Sequence, residues 1–296
     1  MKNLILLIFT LSATILSYGQ TFNHEIQLEG KPSLLLGKVN KDILSEQNYK
    51  DWFLTNAENY NPNQEKIAQI ETLLSDYTIT AFFGTWCGDS KEELPRFYKI
   101  LEEADFSLDR LTVVAVASER DFYKQSPGGE EEGLNIHRVP TFIFYKDGKE
   151  VNRIVEHPVN SLETDILHIL QQQSYTPNYH AVTIVNTAIE DMGLKKFQKK
   201  SKKLLPKLKK VAKNMYELNT YSSVLYFSDK KEEAIAVARL NTILFPKEAT
   251  TYENLGHKLY GINRLDEALK HYETALNLDP TKEKIKDRID LIKSRA

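Results

Sequence analysis

Cysteine is all but missing from this sequence. Among 296 residues only Cys87 carries a thiol. No disulfide can close within the molecule, so a disulfide-stapled fold is excluded. Long apolar runs are missing too. Leu4 to Leu16 is apolar except for Thr10, Ser12 and Thr14, and is too short to cross a bilayer. Excess charge of one sign is also absent. The formal net charge is -2, which argues against a general polyanion binder. The seven histidines are scattered without metal-ligand spacing, so no metal is expected. Gly128-Gly129 alone makes no phosphate loop, no serine-hydrolase motif is present, and no cofactor is expected.

The opening residues have their own character. Met1-Lys2-Asn3 is a short basic start, the apolar run follows, and Ser17-Tyr18-Gly19 places small residues at the -3 and -1 positions. This pattern predicts a secretory signal peptide over 1–19, cut before Gln20. The mature protein is then exported, to the periplasm or the exterior. No cysteine lies near the cleavage position, so a lipid anchor is not expected. One odd cysteine in an exported protein points to a reactive thiol or to pairing with another molecule. The bland alternative is a buried, inert cysteine.

The surroundings of Cys87 decide between these. Thr78 to Phe83 is β-branched and aromatic, as a buried strand is. Ser90 to Glu103 places Leu94, Phe97, Ile100 and Leu101 at helical spacing. Cys87 therefore falls on a strand-to-helix turn, where free N–H groups and the helix dipole favour a thiolate. Leu111–Ala117 completes a βαβ unit with a parallel pair. Ser118–Gly133 reads as a long polar connection, its Glu130-Glu131-Glu132 run facing water. Thr141–Tyr145 and Glu150–Val155 flank Asp147-Gly148 as a hairpin, and Val159–Gln172 reads as a helix. Upstream, Phe22–Val39 offers an outer strand, Lys41–Tyr60 a helix, and Pro62 the first turn of another.

Trp86-Cys87-Gly88-Asp89-Ser90 resembles the active-site motif of the thioredoxin family, with Ser90 where the second cysteine stands. Pro95 matches the helix proline, Val139-Pro140-Thr141 the cis-proline loop, and Tyr145 to Lys149 the hairpin beyond it. The resemblance implies an α/β thioredoxin-like domain over 20–173, a central mixed sheet flanked by helices. It implies protein or peptide thiols and disulfides as partners. Cys87 would be the nucleophile and Ser90 a hydrogen-bonding substitute. Trp86, Gly88, Asp89, Val139 and Pro140 would form the substrate groove. His137 and Arg138, just before the cis-proline loop, could favour the thiolate if they point at the sulfur. Asp89 opposes it. Six residues before Cys87, where the family keeps a buried aspartate, stands Ala81. Both parts of the dithiol reaction are thus missing, while a mixed-disulfide or isomerase-type exchange remains open.

After the boundary at Gln171 to Asn178 no strand pattern recurs. Ala234 and Ala268, like Pro246 and Pro280, are 34 residues apart. With Tyr252, Leu255, Gly256, Leu259, Tyr272 and Ala275, this resembles the tetratricopeptide repeat, implying an all-α domain over 174–296 with repeats at about 215–248 and 249–282. Lys195–Lys213 holds ten lysines and no acid. It reads as a packed helix with a solvated basic face. Contact with a membrane surface is the less favoured reading, and nucleic acid is disfavoured by export. A protein partner is expected on the repeats. The runner-up function is a non-enzymatic peptide-binding adaptor.

Overall fold

The computed structural model describes residues 22–27, 30 and 32–294. The expected signal peptide lies outside these residues. In sequence order come β1 His24–Ile26, β2 Leu34–Lys38, α1 Lys41–Leu44, α2 Gln47–Glu58, α3 Gln64–Leu74, β3 Tyr77–Phe83, α4 Gly88–Glu103, β4 Leu111–Ala115, β5 Thr141–Lys146, β6 Lys149–Val155 and α5 Leu162–Leu170. The sheet runs β1-β2-β4-β3-β5-β6. Only β3 and β4 pair in parallel, joined through α4, and every other neighbour is antiparallel. A mixed sheet with flanking helices results.

Strand β3 divides its side chains between two faces, as strand geometry requires. Ile79, Ala81 and Phe83 enter the main core with Phe97, Phe142 and Ile166. Phe82 enters a smaller core with Val114, Val116, Ile136, Val139 and Ile143, against which Trp86 and Cys87 pack. The second core matters for function, because it fixes the segment carrying Val139 beside the turn carrying Cys87.

Local chemistry shifts several boundaries. The helix expected over Lys41–Tyr60 is two, α1 and α2, because Ser45 ends the first and Glu46 is extended. Pro62 is not in a first turn. Asn63 takes the cap instead, its side chain accepting from Lys66 N–H. Ser161 likewise caps α5 and delays its start to Leu162.

The remainder is helical: α6 His180–Met192, α7 Leu194–Lys200, α8 Leu205–Val211, α9 Tyr216–Phe227, α10 Lys231–Leu244, α11 Ala249–Gly261, α12 Leu265–Leu278 and α13 Glu283–Lys293. The lysine-rich stretch is not one helix. A 3-10 turn over Ser201–Leu204 separates α7 from α8, and Pro206 sits in the first turn of α8, where its missing N–H costs nothing. Phe197 and Leu208 are its buried anchors. Gly256 faces the Tyr272 ring so closely that a Cβ would lie 2.6 Å from it, which lets α11 and α12 approach. No described helix is long and apolar enough to cross a membrane.

Candidate functional site

Cys87 is the N-cap of α4, half-buried, with extended backbone and its N–H donating to Gly84 O at 2.9 Å. Its thiol lies 3.2 Å from the carbonyl oxygen of Val139 and 3.8 Å from Asp89 Oδ2. The Val139–Pro140 peptide is cis. Val139 itself is buried, so its carbonyl is held in place from behind. Trp86 turns its indole N–H onto Val116 O at 2.9 Å. The indole covers Gly84, where an added Cβ would meet the ring at 2.6 Å. Gly88 and Asp89 lie at the helix start, both exposed.

Ser90 has a different position from the one its place in the motif suggests. It is fully buried, and its hydroxyl accepts the Gly84 N–H at 3.2 Å. It therefore braces the turn from beneath, while the sulfur of Cys87 finds Val139 and Asp89. Ala81, also fully buried, leaves no acid under the site. The arrangement presents one thiol at a helix N-terminus, beside a fixed carbonyl.

No family model matches this sequence. Individual relatives do match its first half. The thioredoxin of Chlamydia trachomatis is 32% identical over 93 residues, which are 31% of this protein and 79% of that one. Thioredoxin-2 of Saccharomyces cerevisiae is 35% identical over 78 residues, 26% of this protein and 64% of that one. Thioredoxin-1 of Schizosaccharomyces pombe is 31% identical over 88 residues, 30% of this protein and 76% of that one. The chain belongs to the thioredoxin family.

The rest of the site depends on how the thioredoxin half meets the helical half. His137 is not a charged neighbour of the sulfur. Burial pulls it down to about 3, so the ring is neutral at physiological pH. Nδ1 donates to Asn135 O at 3.0 Å, Nε2 has no partner, and the ring packs against Tyr179 and Tyr221. Arg138 pairs with Glu156 at 3.2 Å, lies 4.6 Å over the Tyr179 ring, and donates to Thr220 Oγ1 at 3.3 Å. Both residues before the cis-proline loop thus fasten it to the helices.

Lys124 supplies the cation that sequence reasoning assigned elsewhere. It is buried, with Nζ 4.9 Å from the Trp86 ring and 5.1 Å from the Tyr123 ring. Burial pulls its ammonium down to about 8, while the charge of Cys87 acts to raise it. Nothing in the spacing of the Ser118–Gly133 stretch marks Lys124. Its left-handed backbone, φ 60°, turns it inward, and only the folded loop reveals this. The acidic run of that stretch is tied back, since Glu131 accepts from the Ser126 backbone N–H at 3.0 Å and Glu130 from the Ser126 hydroxyl at 2.6 Å. Among the described residues no His, Cys, Asp or Glu cluster could hold a metal.

Proposed function

We propose that this protein is exported and catalyses thiol–disulfide exchange through Cys87 alone, with mixed-disulfide or isomerase-type chemistry. The separation of 3.2 Å between the sulfur and Val139 O supports this reading most directly. It places the thiol against the backbone that an extended peptide would pair with. The Cys87 thiolate attacks one sulfur of a substrate disulfide, forming a Cys87–substrate disulfide and releasing the other sulfur as thiolate. A second thiolate of the same substrate then attacks the substrate sulfur of that bond. A new substrate disulfide forms and Cys87 leaves as thiolate, with no net redox change. Trp86, Gly88, Asp89 and Pro140 border the groove, and Ser90 positions the turn. The 34-residue spacing over α9 to α12 supports reading the helices as tetratricopeptide repeats that hold a protein partner.

The test is native alkylation by iodoacetamide, together with trapping of insulin as a mixed disulfide. Wild type is expected to alkylate and to trap, and Cys87→Ala to do neither. Insulin reduction should be negligible for wild type and gained by Ser90→Cys. A thiol that resists iodoacetamide in the folded protein would end the redox reading. The adaptor reading is then favoured, for which the interlock of Arg138 with Thr220 is the supporting contact.

A further inference from the structure

The surface over α7 and α8 carries charge of one sign. All ten lysines of Lys195–Lys213 are exposed. Phe197 of α7 and Leu208 of α8 enter the same core as Val185 of α6 and Leu240 of α10. Both short helices therefore lie with one side against α6 and α10, and the lysines occupy the sides turned outward. The turn over Ser201–Leu204 and Pro206 bend the segment between its two anchors, so the charge is spread over two helices.

Elsewhere the helical half pairs its cations. Lys231 meets Asp229, Arg239 meets Glu267, Lys282 meets Glu253 and Lys293 meets Glu273. Among the described residues no carboxylate lies within ion-pair distance of any of the ten lysines. The acids flanking the run along the chain are engaged otherwise. Glu190 accepts from Asn186 Nδ2 at 2.9 Å, and Glu217, which is buried, accepts the Lys213 backbone N–H at 2.6 Å. Lys195 and Lys199, like Lys196 and Lys200, stand four apart on α7, where like charges repel. The whole chain has a formal charge of -2 and this run supplies +10, so all other residues together carry -12. The fold thus gathers its positive charge on one face and leaves it without counter-charge.

The make-up of the face selects its partner. No arginine lies between Leu194 and Lys213, so the forked donors that read bases or clamp carboxylates are missing. The single aromatic there, Phe197, is buried, so no base can stack on it. Among the described residues of the stretch no large apolar side chain is exposed, which leaves no anchor for a protein interface. Scattered point charges suit a fluid anionic surface, whose headgroups move to meet each ammonium. We propose that the α7–α8 face binds the surface of an anionic phospholipid bilayer, reversibly and through charge alone. With no exposed apolar anchor, the protein lies on the headgroups and does not enter the bilayer. Nothing in this depends on the redox reading of Cys87.

The experiment is co-sedimentation of the full chain with two kinds of vesicle. One kind is phosphatidylcholine, and the other is phosphatidylcholine with one-third phosphatidylglycerol. The neutral vesicles read whatever the apolar start of the chain contributes. At about 0.05 M salt the anionic vesicles should be bound about tenfold more tightly, and about 0.5 M salt should abolish the difference. Lys196→Gln, Lys199→Gln, Lys203→Gln, Lys207→Gln and Lys210→Gln, combined in one protein, should remove most of that preference. All five are exposed, so the fold should be kept. A control with the same charge change at exposed sites elsewhere, Lys50→Gln, Lys149→Gln, Lys247→Gln, Lys270→Gln and Lys286→Gln, should retain it. Equal binding to both vesicles overturns the proposal. So does an unaffected α7–α8 variant, or an equal loss in the control. Binding of a short oligothymidylate in place of the anionic vesicles also overturns it, and assigns the face to nucleic acid.

Discussion

The sulfur of Cys87 and the carbonyl oxygen of Val139 lie 3.2 Å apart across 52 residues of sequence. The Asp89 carboxylate lies 3.8 Å from the same sulfur, and the buried Lys124 ammonium feels the charge of Cys87 from the other side of Trp86. Two substitutions should therefore move its reactivity in opposite directions. Asp89→Asn should speed alkylation by iodoacetamide at pH 7 several-fold, and Lys124→Met should slow it by a similar factor. Asp89 is exposed, so its effect should shrink in 1 M salt, and that of Lys124 should persist. The check is the second-order alkylation rate, followed by mass spectrometry. Equal rates in all three proteins would contradict this account of the site.

Gly84 and Trp86 make a second prediction. A Cβ on Gly84 would sit 2.6 Å from the indole. Gly84→Ala should displace the ring, break its hydrogen bond to Val116 O, and cost about 1–3 kcal/mol, as overpacking does. Urea melts would give the loss. Red-shifted fluorescence in a Trp52→Phe background would show that Trp86 has moved.

The same reasoning applies at Gly256, where the obstacle is the buried ring of Tyr272. Gly256→Ala should destabilise the protein by about 1–3 kcal/mol despite the better helix propensity of alanine. Pairing it with Tyr272→Leu should recover part of the loss. Additive losses in the double mutant would rule out the contact as the cause.

Alkaline pH offers a fourth. Lys124 and Lys258 are pulled from 10.5 to about 8 and about 7 in the fold. Between those values and 10.5 the unfolded state binds more protons than the native one, so stability rises with pH there. Above about pH 10 the trend reverses, because burial keeps Tyr49, Tyr60 and Tyr98 protonated when the unfolded tyrosines ionise. Urea midpoints from about pH 7 to pH 10 should climb, and Lys258→Met should flatten the climb. A falling midpoint over that range would refute the burial of these lysines.

The parts of this molecule legible in sequence were those set by local pattern. The β-branched and aromatic run before Cys87 and the helical spacing after it place the sulfur on its turn, and Ala81 signals the missing acid. Caps are nearly as local, yet Asn63 and Ser161 outcompete Pro62 and Val159 for reasons that require knowing where each helix begins. The inward turn of Lys124, the neutral state of His137 and the bracing role of Ser90 have no local sign. Each follows from which surface covers the residue. For His137 that surface is Tyr179 and Tyr221, both far along the sequence.

The joint between the halves governs how this protein can be handled. His137 packs against Tyr179 and Tyr221, Arg138 reaches Thr220, and Gln125 donates to Phe227 O at 2.6 Å. A truncation ending near residue 173 would strip the lining from behind the cis-proline loop and uncover His137 and Arg138, which precede the Val139 that faces Cys87. The familiar small redox protein cannot simply be cut out of this one. Here the helices serve as its back wall.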